Sequence, residues 1–427
     1  MARDVGGEGS VRGVPGGTQG PWRKRPNAIL WVLSLGQLVT WGLVYYTFPL
    51  FVGPMEQELG WSRGQLYGAL SAGLLAAGIC SIPVGAWIDR GHGRVLMTGG
   101  SLLAALLLLA WSEIRSLPMF YMVWIGLGAC QSVTLYEPAF AVLTRVFGPR
   151  YRQAIMVMTF VGGLASTFGI PFTQFLIERI AWRPCLVVLS VMILAVAFLV
   201  HGLFVPGPRD AAVPIGTVER TADDTGQAKR NPLAAALKVP AFWGLVVAFA
   251  GYGLAFSAMS FHLIPLLVER GVGMGIVMAI VALIGPMQVV GRVLLMAGQR
   301  HVTTIQLGAL IYLAFPVSMA MLAAGVSDVY GLIVFAILYG VANGLLTILR
   351  GMAVPEFIGP EGYGIVSGAL TMPTNIMRAA GPLLAAFAWS AAGGNYTPVL
   401  WGLSGIMLIA AAGFAAAALL SSRTSHG

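Results

Sequence analysis

Long apolar runs alternate with short polar breaks along almost the whole chain. Twelve runs can be delimited, at 28–52, 65–87, 95–112, 117–147, 153–177, 184–205, 239–268, 273–297, 304–324, 329–356, 362–389 and 396–421. Most hold about 20 residues or more, enough for a helix rising ~1.5 Å per residue to cross a hydrocarbon core of roughly 30 Å. The pattern predicts an all-α membrane protein of twelve transmembrane helices. An even number of spans puts both termini on one side. One polar stretch, 207–238, is much longer than the others and divides the runs six and six. The expected organisation is a disordered tail at 1–27, a six-helix bundle at 28–206, a flexible linker at 207–238, a second six-helix bundle at 239–421 and a short tail at 422–427.

Composition strengthens this reading. Of 427 residues, 57% are hydrophobic and only 10% are charged, and the mean hydropathy is +0.82. A soluble domain carries about 25% charged residues. The net charge of +9 could suggest nucleic acid, but its distribution argues otherwise. Arg23, Lys24, Arg25, Arg90, Arg94, Arg145, Arg150, Arg152, Arg209, Arg220, Lys229, Arg230, Lys238 and Arg300 fall in loops on the side of the termini. The opposite loops hold Arg63, Arg115, Arg179, Arg183 and Arg270, diluted by six acidic residues. Excess Lys and Arg mark the cytoplasmic side, so both termini are expected there, in a cell inner (cytoplasmic) membrane. The Gly-rich first 26 residues contain no apolar core before a small-residue cleavage site, so no cleaved signal peptide is expected. Cys80, Cys130 and Cys185 all lie in apolar runs, where thiols behave as small hydrophobes. No phosphate-binding glycine loop, HExxH motif or Cys/His cluster stands in the chain. No cofactor, metal or nucleic acid is expected, and no nucleophile–base constellation argues for an enzyme.

The two halves resemble each other. "WGLVYYTFPLFVGPMEQELGW" in the first matches "YGLAFSAMSFHLIPLLVERGV" in the second, with Gly42 on Gly253, Glu58 on Glu269 and Gly60 on Gly271. Gly148-Pro149 falls on Gly359-Pro360 at the same offset. Two repeats in the same orientation suggest a two-bundle transporter with its site between the bundles.

The loop after the second run reads "GAWIDRGHGR". It resembles the signature loop of the major facilitator superfamily, with Gly85, Asp89, Arg90 and Arg94 in place and His92 where the pattern has glycine. "MEQELGWSRGQL", "YEPAF" and Ala181-Trp182-Arg183 resemble the monocarboxylate-transporter and oxalate/formate-antiporter branch. The resemblance implies that Gly85, Asp89, Arg90 and Arg94 belong to a cytoplasmic gate that latches in the outward-facing state. Asp89 stands at a helix end, where it could accept hydrogen bonds from a neighbouring helix N-terminus.

Four ionisable residues lie deep in the runs: Glu137, Arg292, Arg350 and Arg378. Charges at such depth are rare and face a cavity or a partner. Arg378 is about 24 Å from the cytoplasmic end of its run and Glu137 about 12 Å, at ~1.5 Å per residue. Arg292 and Arg350 lie on the cytoplasmic halves of their runs, where snorkelling is the plain alternative. Glu137 and Arg350 occupy equivalent places in the two repeats, so they form a natural charge pair, with Arg292 as the competing partner. One carboxylate against three arginines leaves an excess of positive charge, which suits an anion, and the arginine fork matches a carboxylate. The branch resemblance implies the same: its members carry a carboxylate-binding arginine where Arg292 stands. Gln288 replaces an aspartate found in many members, which leaves Glu137 as the buried carboxylate able to carry a proton. Tyr136 matches a tyrosine of the branch and could donate to a substrate carboxylate. Tyr45, Asn343 and Asn375 complete the candidate binding set; Tyr46, His262, Gln131 and Gln174 are further polar groups within runs.

These readings converge on a secondary active transporter of a small organic anion, a monocarboxylate by the branch resemblance, working by alternating access as a monomer with protons as a possible co-substrate. Two alternatives stand beside it: drug or amphiphile efflux by proton antiport, with Glu137 attracting cations, and a membrane sensor that binds without transporting.

Overall fold

The computed structural model describes residues 26–207, 231–298 and 301–424. Residues 1–25 of the expected N-terminal tail, most of the linker, Arg209, Arg220, Lys229, Arg230, Arg300 and the end of the C-terminal tail lie outside the described residues. The described chain is helical and contains no strand. Its first half comprises α1 (Pro26–Thr40), α2 (Phe48–Leu59), α3 (Arg63–Trp87), α4 (Gly93–Ser112), α5 (Leu117–Thr134), α6 (Tyr136–Phe147), α7 (Tyr151–Gly163), α8 (Ala165–Ile180) and α9 (Trp182–Val196). After a short α10 (Pro232–Ala236), the second half comprises α11 (Pro240–Glu269), α12 (Met274–Gly298), α13 (Thr304–Ala323), α14 (Val329–Phe357), α15 (Tyr363–Ala391) and α16 (Tyr396–Thr424).

Among the described residues, nine helical stretches are long and apolar enough to cross a membrane. Two of them, Arg63–Ser112 and Leu117–Ile180, each cover two of the predicted runs. The first reverses at Gly91, whose φ of 91° only glycine adopts readily. α15 lies outside the nine, because Asn375, Arg378, Pro373 and Pro382 lower its hydropathy.

Several expected boundaries differ. The run 28–52 holds α1 and the start of α2, which continues to Leu59. The run 117–147 is two helices, not one, and the break is at Leu135 (φ −82°, ψ −155°). Pro138 explains it. A proline ring clashes with the carbonyl four residues back, here that of Thr134. That carbonyl instead accepts a hydrogen bond from Gln37 Nε2 of α1 at 2.8 Å. The run 153–177 is also divided, at Leu164, just after Gly162-Gly163. Part of the expected flexible linker is helical: Asn231 caps α10 by accepting from Leu233 N–H at 3.1 Å, with Pro232 at the first helical position.

The sequence repeat is visible in the backbone. Gly60 and its match Gly271 both take positive φ, 70° and 76°, as do Gly148 and Gly359, 51° and 129°. The matched glutamates play the same part: Glu58 accepts from Trp182 Nε1 at 2.6 Å and Glu269 from Trp389 Nε1 at 3.2 Å.

Two apolar clusters organise the packing. One draws only on the first half, from Leu43 to Ile193. The other joins both halves, and its first-half members include Ile88, next to Asp89, with Leu33, Met97, Phe140, Ile155 and Val205. The halves therefore share a core that includes the Asp89 loop. The tightest joint is α3 against α15. A Cβ on Gly85 would stand 2.0 Å from the Gly364 carbonyl oxygen, and one on Gly368 would stand 2.2 Å from that of Ser81. Small residues let these backbones touch, as lipid-embedded helices require.

Candidate functional site

Above this joint the halves part to enclose a cavity of about 150 Å³, lined by the turn between α1 and α2 and by α3, α5, α6, α11, α12, α14 and α15. Its walls are set by local sequence. Between α1 and α2 the chain winds one residue wider than an α-helix, so that Tyr46 N–H bonds to Trp41 C=O at 3.1 Å. Such π-type turns recur at functional sites because they re-aim side chains. This one brings Trp41, Tyr45 and Tyr46 to the cavity.

The break at Leu135 places Glu137 in the first turn of α6. There the unpaired backbone N–H groups and the helix dipole favour a negative charge. Glu137 Oε1 accepts from Arg350 Nη2 of α14 at 2.8 Å, and the same nitrogen reaches Thr371 Oγ1 at 3.3 Å. The two side chains remain 27% and 20% exposed, so the pair is open to the cavity. The Arg350 guanidinium also lies 5.9 Å from the Phe249 ring centre.

Arg292 and Arg378 are different. Neither is in an ion pair among the described residues. Arg292 of α12 is 3% exposed; its Nε donates to the Gly344 carbonyl at 3.2 Å, and its Nη1 is buried with no partner. Arg378 of α15 lies over Phe256 at 5.1 Å and Tyr45 at 5.9 Å, contacts that stabilise a cation without neutralising it. Both arginines line the cavity. Tyr136 is buried beside them, stacked on Phe140 at 5.3 Å and 5.1 Å from Trp41.

The remaining sequence candidates divide. Tyr45, Asn343 and Asn375 line the cavity. Asn343 is committed within the second half, accepting from Tyr252 Oη at 2.8 Å and donating to the Tyr339 carbonyl at 2.8 Å. Gln131 and Gln288 also line the cavity. His262 does not; its ring bonds Tyr396 Oη at 2.9 Å and the Pro382 carbonyl at 3.0 Å. Gln174 is bonded to Glu178 at 2.8 Å on an exposed face. Sequence reasoning missed Trp41, Thr371, Phe249 and Phe256. Phe249, Tyr252 and Phe256 follow a helical spacing of three and four along α11, and that stripe was the available signal.

At the closed end, Asp89 crosses between the halves. Its two carboxylate oxygens accept from Gly364 N–H at 2.9 Å and Ile365 N–H at 2.8 Å, at the start of α15. Arg145 holds the same loop by donating to the carbonyls of Ile88 and Asp89. Arg94 Nε donates to the Val205 carbonyl at 2.6 Å. Arg90 is exposed. Two further contacts join the halves there: Arg152 to the Val302 carbonyl at 2.6 Å and Tyr151 to Glu356 at 3.4 Å. At the opposite end, the ion pairs Arg63–Glu56 and Arg183–Glu58 each stay within the first half. No group of three His, Cys, Asp or Glu side chains suited to a metal occurs among the described residues.

The fold is shared with solved transporters. FucP, a major facilitator transporter in an outward conformation, superposes with a TM-score of 0.70 at 18% identity, over 95% of this chain and 100% of that one. The human organic anion transporter MFSD10 (TETRAN) superposes with a TM-score of 0.68 at 16% identity, over 92% and 99%. The E. coli fucose:proton symporter FucP also matches, with a TM-score of 0.67 at 18% identity, over 95% and 100%. No curated protein sequence matches the chain. The family model for the Major Facilitator Superfamily matches residues 33–382. The chain therefore belongs to the major facilitator superfamily: it is a multi-pass membrane transporter and not an enzyme.

Proposed function

We propose that this transporter moves a small organic anion, a monocarboxylate in the leading reading, across the cytoplasmic membrane by alternating access. One observation carries the reading: Arg292 and Arg378 line the cavity without a carboxylate partner among the described residues, while the cavity's own carboxylate, Glu137, is taken by Arg350. An unneutralised cation away from bulk water is costly, and a ligand carboxylate that bridges the guanidinium forks relieves that cost. The likeness to an organic anion transporter is one of fold, so the arginines carry the argument. The monocarboxylate branch is supported by Tyr136 and Arg292 lining one cavity. Glu137 and Arg350 are the proposed proton-coupling pair. The twelve runs are read as twelve spans in two bundles, with cytoplasmic termini and a monomeric protein.

The packed end carries Asp89, so the conformation is read as outward-facing, with Asp89 as the latch. Asp89→Ala removes the acceptor of two helix-start N–H groups, a loss of about 1 kcal/mol by analogy with helix caps. We expect a cysteine at Ser367 in the cavity to be labelled from the cytoplasmic side several-fold faster in this variant. Unchanged labelling removes Asp89 from the gate.

A second reading, efflux of a lipophilic cation, is favoured by the aromatic wall of Trp41, Tyr45, Tyr46, Tyr252 and Phe256. A thermal-shift screen of the purified protein separates the two. A ligand at 100 times its Kd stabilises the folded state by about 2.7 kcal/mol. The anion reading expects a rise in thermal midpoint with pyruvate, lactate or benzoate. A rise only with lipophilic cations, lost in Glu137→Gln, overturns it.

A further inference from the structure

The end of α7 carries two adjacent glycines, Gly162 and Gly163, against the candidate anion site. What Gly163 accommodates is unusual for this protein. Many of the other crowded glycines face backbone: a Cβ on Gly73 would meet the Trp124 carbonyl at 2.7 Å, one on Gly128 that of Gly73 at 1.9 Å, and one on Gly244 that of Gly413 at 2.5 Å. Others face uncharged side chains, as Gly68 faces the Tyr121 hydroxyl at 2.3 Å and Gly308 the Phe414 ring at 2.0 Å. The backbone-facing ones are helix-packing glycines. At Gly163 the nearest atoms are instead three of one guanidinium. A Cβ would stand 1.7 Å from Arg292 Nη1, 2.5 Å from Cζ and 3.2 Å from Nε. At Gly162 a Cβ would stand 2.6 Å from Tyr136 Oη. Neither glycine has the positive φ that would itself call for glycine. The neighbours, and not the backbone, exclude a side chain here.

The guanidinium at Gly163 comes from the other half of the molecule. Its Nε is tied to the Gly344 carbonyl at 3.2 Å, and its Nη1 is buried with no partner among the described residues. We propose that Gly163 is the positioning residue of the anion site: the bare last turn of α7 is the seat on which Arg292 lies, while Gly162 admits the hydroxyl of Tyr136 beside it. The inference rests on the anion reading of the cavity and adds a cause for where the anion sits. The seat sets Arg292 Nη1 against Gly163 and the Tyr136 hydroxyl against the adjacent Gly162, so in this proposal one ligand carboxylate meets both donors at this wall of the cavity. The seat also needs both halves, so Arg292 holds this place only while α7 and α12 stand as close as they do here. A methyl at 163 leaves the long Arg292 side chain free to swing into the cavity. The consequence is a displaced guanidinium more than an unfolded protein.

The test reads the position of Arg292 without any substrate. Purified wild-type protein, Gly163→Ala and Gly99→Ala are treated with phenylglyoxal, which reacts with accessible guanidinium groups, and modification at Arg292 is followed by peptide mass spectrometry. Gly99 is the control, since a Cβ there meets nothing within 4 Å. The expected result is at least fivefold faster modification of Arg292 in Gly163→Ala, with wild-type rates at Arg350 and Arg378 and in Gly99→Ala. An unchanged rate at Arg292 overturns the seat. If Gly163→Ala does not fold, recovery of folding in Gly163→Ala/Arg292→Met supports the seat, and failure of both assigns the glycine to helix packing. The positioning role is read by thermal shift with pyruvate, lactate and benzoate. Whichever of them binds wild type should bind Gly163→Ala at least tenfold more weakly and Gly99→Ala unchanged; equal affinity overturns the role. If none binds wild type, the anion reading fails, while the labelling result still decides the seat.

Discussion

Arg378→Ala is expected to abolish carboxylate-dependent stabilisation and reduce uptake into liposomes to background. Hydrogen bonds to charged groups contribute about 1.5–3 kcal/mol each, and every ~1.4 kcal/mol is a tenfold change in affinity. Losing one arginine from a two-arginine site should therefore weaken anion binding by about ten- to a hundredfold. Stability should move the other way or little. The guanidinium lies over Phe256 and Tyr45, contacts that contribute about 0.5–2 kcal/mol, but among the described residues it has no counter-charge in an ion pair. Removing an unneutralised cation offsets the lost ring contacts, so the ligand-free thermal midpoint should stay within a few degrees of wild type. Arg378→Lys keeps the charge but loses the planar fork, and should recover only part of the affinity. Wild-type uptake by Arg378→Ala would end the anion reading at this position.

Glu137→Gln should have the largest effect on the protein itself. It leaves Arg350 without its carboxylate, and it removes a negative charge from the start of α6. Breaking a buried pair from one side costs about 3–5 kcal/mol, whereas an exposed pair is worth roughly 0–1 kcal/mol. With side chains 27% and 20% exposed, this pair lies between, and a loss of about 2 kcal/mol is expected, about 0.3–1 kcal/mol of it from the helix dipole. The double variant Glu137→Gln/Arg350→Gln should recover most of the loss, because it leaves no unpaired charge. Thermal midpoints of the four proteins in a double-mutant cycle check this coupling. Additive losses would mean that the two residues do not act as a pair. In flux assays Glu137→Gln should flatten the pH dependence of transport, since it deletes the proposed proton carrier; an unaltered pH profile would locate coupling elsewhere.

The contrast between these variants shows what the chain makes legible. Alternation of apolar runs and short polar breaks sets the helical membrane class, because bilayer thickness fixes helix length and the bilayer leaves backbone groups no partner but one another. The repeat was also readable: Gly60 with Gly271, and Gly148 with Gly359, mark places where each half needs positive φ. So were the four deep charges, since their rarity in apolar runs is a local property. The break before Tyr136 was less legible, although Pro138 announced it; whether a proline bends or breaks a helix depends on what satisfies the freed carbonyl, and that is Gln37 on another helix.

Partners were decided by tertiary structure alone. Arg350 and Arg292 both stood as candidates for Glu137, and no spacing along the chain distinguishes them. The approach of α6 to α14 gives Glu137 to Arg350 and leaves Arg292 lying on Gly163 of α7. The aromatic wall around Arg378 and the two glycines behind Tyr136 and Arg292 likewise come from helices far apart in sequence. The sequence by itself determined that this protein spans a membrane, that its halves repeat and that it holds charges at depth, because hydropathy and rarity are read residue by residue. Which charges neutralise one another, and which remain open to a ligand, depended on how the two halves pack, because electrostatic pairing is a matter of a few ångströms between elements that the chain order does not place together.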